Sequence, residues 1–65
     1  MNTYTKSLAR EYLEIISNIS SGMYSGDELH WLEAERGVLH DQLQDAIGKR
    51  IAKHDMPEYA RNLLR

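Results

Sequence analysis

The residues in this chain that could do chemistry are three histidines, His30, His40 and His54, together with ten carboxylates and several serines. His30 and Glu33 come nearest to a metal-ligand spacing, because they stand three positions apart and a helix brings them to one face. The carboxylate-bridged metal pattern of helical bundles runs Glu-x-x-His and is repeated on two helices, whereas here the order is reversed and occurs once. Cysteine is absent, which removes thiolate zinc sites, disulfides and thiol nucleophiles. The three histidines therefore read as surface residues, and no metal site is expected. Nucleophilic or acid–base catalysis needs a concavity that holds a substrate and excludes water, and a chain of 65 residues built from a few helices offers little of one. No catalytic residue and no cofactor are expected, and the chain reads as a non-enzyme. The stretch Gly22 to Gly26 lacks the lysine and the preceding strand of a phosphate-binding loop.

Binding chemistry is better represented. The formal charge is −2, but residues 1–48 carry −5 and residues 49–65 carry +3. The basic segment holds Lys49, Arg50, Lys53, Arg61 and Arg65, which could grip phosphates, so nucleic-acid binding (RNA or DNA) is one reading. Its simpler explanation is a helix end whose cations complement the carbonyl terminus. The acidic segment holds Asp27, Glu28, Glu33, Glu35, Asp41 and Asp45 against Arg36 alone, a face suited to a basic surface on another protein. Beside it stand Trp31 and Val38, seven residues apart and well away from the leucine face of the same segment. Exposed apolar residues of this kind mark contact sites, and tryptophan is enriched among binding hot spots.

The elements that position these residues follow from the apolar spacing. Tyr4, Leu8, Tyr12, Ile15, Ile16 and Ile19 share an arc of roughly 120° on a first helix over about 4–20, with Thr3 or Thr5 as its cap. Ser20 to Gly26 breaks the periodicity and supplies a turn, with Met23 and Tyr24 expected to cover the open end of a hairpin. Leu29, Leu32, Leu39, Leu43, Ala46, Ile47 and Ile51 then fall within roughly 140° on a long second helix over about 27–53, whose first turn carries Asp27 and Glu28. Gly37 and Gly48 interrupt it, and each costs about 1 kcal/mol relative to alanine. With Ala34 and Ala52 nearby they outline a small-residue strip where another helix could approach. Asp55 and Pro57 open a short third helix over about 57–64, whose Tyr59, Ala60, Leu63 and Leu64 can fold back on Ile47 and Ile51.

The expected architecture is a single all-α domain over 1–65, an antiparallel hairpin with a short C-terminal helix. A 27-residue helix would be about 40 Å long, more than a chain of this mass needs for its own core, and a core this small rarely supplies more than about 3–5 kcal/mol. A homodimer paired along the long helix is therefore expected, with Trp31, Val38, Glu33, Glu35, Leu39 and Leu43 at the partner or dimer interface. In outline, such paired hairpins resemble the small plasmid-encoded RNA-binding regulators of copy number, with no residue motif in common. No apolar run exceeds two residues, so neither a membrane span nor a secretory leader is expected and a cytoplasmic location is. The functional expectation is a regulatory protein, of a bacterial or mobile-element kind, that binds and modulates a larger protein.

Overall fold

Leu8, Tyr12, Ile15, Ile16 and Ile19 recur at the spacing of one helix face, and they lie on α1 (Thr3–Ser20) of the computed structural model, which describes residues 3–65. Two further helices follow, α2 (Gly26–Ile47) and α3 (Met56–Leu63), and no strand is present among the described residues. The protein is all-α.

The helix between the other two is α1, since α2 and α3 each pack against it and barely meet one another. Leu8 and Tyr12 are buried as the periodicity predicts, and Thr5 and Ala9, at and just past the edge of the same arc, are buried as well on a helix that packs on two others. Leu39 and Leu43 from α2 join Leu8, Ala9 and Tyr12 in one cluster with Met56 and Ala60 from α3. Alanine on both α1 and α3 suits close helix approach, and both side chains are fully covered. Tyr4, assigned by its spacing to the same buried face, is instead 61% exposed at the first turn. Thr5, one of the two candidate caps, lies inside the helix.

A serine turn ends α1. The Ser21 hydroxyl donates to the Asn18 carbonyl at 2.7 Å and accepts from the Met23 N–H at 3.2 Å, while Gly22 takes the left-handed conformation at φ 75°. Met23 does not cover the hairpin end; it is 80% exposed, and Tyr24 alone of the pair is half-buried.

The second helix starts after Ser25, which has the extended backbone of a capping residue though its side chain makes no capping bond. It runs unbroken through Gly37 and stops at Ile47, six residues before the expected Lys53. Gly48 is the reason: at φ 76° it adopts the left-handed conformation that only glycine takes freely, and its N–H closes on the Gln44 carbonyl at 2.9 Å. The segment beyond is then tied back to the helix it has left. Gln44 Oε1 accepts the Ile51 N–H at 2.9 Å, and His40 Nε2–H donates to the Ile51 carbonyl at 2.9 Å. Those two bonds satisfy both backbone polar groups of Ile51, whose side chain packs against the core.

Two expectations change with this break. A helix of 22 residues is about 33 Å long, within the 35 Å longest dimension of the molecule, so no overhanging helix requires a partner. The small-residue strip also dissolves, since Gly48 and Ala52 lie outside the helix that carries Ala34 and Gly37. The connector re-forms helix through Asp55 and Pro57, and α3 returns along α1 with only Ile51 of the connector beside it in the core, where a seat on Ile47 and Ile51 was expected.

Candidate interaction surface

With the core complete, the side chains left outside it define what the protein can present. Trp31 is 61% exposed and Val38 50% exposed. Both project from α2 off the face that buries Leu32, Leu39 and Leu43, roughly a quarter to a third of a turn around the helix. Leu39 and Leu43 belong to the intramolecular core at 5% and 0% exposure, so of the six expected interface residues they are inaccessible to a partner. Glu33 is exposed and pairs with Arg36 at 3.1 Å, while Glu35 is half-buried.

Trp31 does not stand in isolation. It lines a shallow groove of about 430 Å³ whose floor comes from Ile15, Tyr24 and Leu32 and whose rim carries Asp27 and Glu28. This groove lies where the end of α1 meets the start of α2, and no residue of α3 lines it. Neither Asp27 nor Glu28 makes an ion pair among the described residues. Sequence reasoning found Trp31, Asp27 and Glu28 but missed Ile15 and Leu32 as their neighbours, because a helical wheel assigns both to the core, and of the two only Leu32 is buried. Val38 lies further along α2, against Ala34, Gly37 and Asp41.

The five basic residues of the C-terminal segment do not converge. Lys49 sits over the Tyr59 ring at 5.1 Å. Lys49 and Arg50 share a groove with Asp41, Gln44 and Asp45, whose carboxylates oppose a phosphate. Lys53 faces Arg36 in other grooves, and Arg61 and Arg65 are exposed on and after α3. The three cations expected to complement the end of α2 lie beyond it, and its last turn has no basic residue.

The histidines divide in role. His30 and His54 are exposed, His54 lying 3.6 Å from Asp55. His40 is half-buried and structural: it anchors Ile51 and packs its ring 6.4 Å from that of Tyr12. No group of three metal-ligating side chains occurs among the described residues. The Tyr12 phenol is held above its ordinary pKa by burial, with the Arg36 guanidinium partly opposing the shift. No described helix is long and apolar enough to cross a membrane. Comparison with known protein families, curated proteins and solved structures gave no match.

Proposed function

We propose that this chain is a small non-enzymatic regulatory protein that binds and modulates a larger protein, docking through the Trp31 end of α2. One observation carries the reading: a tryptophan on a helix whose other face already fills the core stands 61% exposed on the wall of an apolar groove. A large aromatic held in water by a rigid helix loses little conformational entropy on docking and brings a large apolar area with it. Asp27 and Glu28 at the rim supply the charge that steers a basic partner surface.

Affinity capture with wild-type protein beside Trp31→Ala and Asp27→Lys/Glu28→Lys tests it. The expected result is one protein retained by wild type and lost from both variants, each still helical by circular dichroism. Identical retention by all three would remove the reading. Glu33 and Glu35 are poorer choices for the charge reversal, since Glu33 has its own partner in Arg36 and Glu35 is half-buried.

A homodimer through the same face is the second reading, and Val38, half-exposed on α2 two turns beyond Trp31, favours it. Trp31 is the single tryptophan, so its emission reports the seam directly. A dimer shifts that emission to the blue as concentration rises and gives twice the monomer mass in sedimentation; an unchanging red-shifted emission with a monomer mass leaves the surface to a different protein.

A further inference from the structure

Among the described residues two buried side-chain polar atoms lack hydrogen-bond partners, Tyr12 Oη and Arg36 Nε, and both residues line the same pair of grooves. Tyr12 is fully buried and the Arg36 side chain is 19% exposed. Buried donors are nearly always satisfied, and each one left open costs about 1–3 kcal/mol. Two together are heavy for a core worth about 3–5 kcal/mol. The Arg36 Nε–H can only donate and the Tyr12 hydroxyl can donate as well as accept, so acceptor oxygens would satisfy both.

The two grooves differ in charge. One, toward Val38, contains the carboxylates of Glu33 and Asp41. The other, of about 470 Å³, lies between the C-terminal half of α1 and the 53–57 turn; Lys53 and His54 line it beside Arg36, Ile16, Ile19 and Pro57 make it apolar, and no carboxylate lines it. The residues that carry the two unsatisfied atoms therefore border a groove that is cationic at one end and apolar along its wall, the atoms themselves lying just beneath its surface. We propose that this groove binds an organic carboxylate, its oxygens taken by Arg36 and the Tyr12 hydroxyl with Lys53 adding charge, and its hydrocarbon body lying on Ile16, Ile19 and Pro57.

Glu33 is the carboxylate that now holds Arg36, at 3.1 Å in an i,i+3 pair with half of the glutamate side chain in solvent. Pairs of that kind contribute little. Exchange of Glu33 for the ligand turns the guanidinium toward α1 and uncovers the Tyr12 hydroxyl. The site shares no lining residue with the Trp31 groove, which takes Ile15 and Asn18 from α1.

Amide chemical shifts of the full chain, followed during titration with octanoate, octanol and inorganic phosphate, test the assignment. Octanoate is expected to give saturable shifts at Ile16, Ile19, Arg36, Lys53 and His54. Octanol, which has the body without the charge, should give none, and phosphate, which has the charge without the body, should bind at least about tenfold more weakly, as expected from the area of hydrocarbon it leaves unburied. Tyr12→Phe removes a hydroxyl that has no partner, so it should melt at or above the wild-type temperature while binding octanoate about tenfold more weakly. Arg36→Gln should abolish binding, and Glu33→Gln should tighten it by releasing Arg36. Octanoate affinity unchanged in both Tyr12→Phe and Arg36→Gln, or the absence of any saturable shift, would overturn the proposal and leave the two donors to a buried water. Phosphate binding as tight as octanoate would overturn it too, since the apolar wall would then contribute nothing.

Discussion

The two ends of the hairpin are made of the same elements and differ in what covers them. At one end α1 lies between α2 and α3, and Leu8, Ala9, Tyr12, Leu43, Met56 and Ala60 are all at or below 5% exposure. Toward the turn between α1 and α2 only the first turn of α3 arrives, through Pro57, and Ile15, Ile16 and Ile19, from the same apolar arc of the same helix, stay only half-buried. Most of the fully covered core thus lies where the three helices meet, while the turn end keeps half-buried apolar surface beside Trp31 and Tyr24. A third helix of eight residues separates what the chain uses to fold from what it has left for binding.

Substitutions at the closed end should have the largest effects. Leu43→Ala deletes a fully buried side chain at the centre of the cluster, and the expected loss of about 2–5 kcal/mol matches or exceeds the whole stability of a domain this size. Its thermal melt by circular dichroism should lose cooperativity; a melt within a few degrees of wild type would show that the closed end is not where stability resides.

The two glycines of the second helical segment should respond with opposite sign. Gly48→Ala forces a Cβ into a left-handed backbone at φ 76° and should destabilise by about 1 kcal/mol, loosening the turn that delivers α3 to α1. Gly37→Ala lies mid-helix with nothing within 4 Å of the added Cβ and should stabilise by roughly 0.5–1 kcal/mol. Denaturant midpoints measure both, and a shared sign would contradict the helix boundary at Ile47.

At the open end, Trp31→Ala should change the stability of the isolated chain by less than about 0.5 kcal/mol, since exposed positions away from special contacts do little. A large loss on the same denaturant curve would mean that Trp31 belongs to the core and that the two ends are alike. The finest test concerns Tyr12, whose phenol is raised in the folded state by burial. Its contribution is intact below the ordinary tyrosine value of 10.0 and is lost as pH climbs through the raised one. Wild type should therefore weaken above pH 10 more steeply than Tyr12→Phe, and parallel alkaline profiles would place the hydroxyl in water.

The sequence by itself determined that the protein is helical, that there are three helices, and which residues of α1 and α2 turn inward. Those follow from spacing within a single element, and Leu8, Tyr12, Leu32, Leu39 and Leu43 are buried as their periodicity requires. It also determined that Trp31 and Val38 stay out, because they lie off the leucine face of their own helix. What only the tertiary structure decided is which helix has two neighbours. Thr5 and Ala9, at and just past the edge of the apolar arc, are buried although neither type is an obvious core residue, and α1 also packs on α3, which lies more than forty residues away in sequence. Gly37 and Gly48 are the same residue in similar surroundings, yet one continues the helix and the other ends it. The difference rests on His40 and Gln44 reaching eleven and seven residues forward to hold Ile51, bonds that exist only once the chain has turned and that periodicity within a helix cannot register.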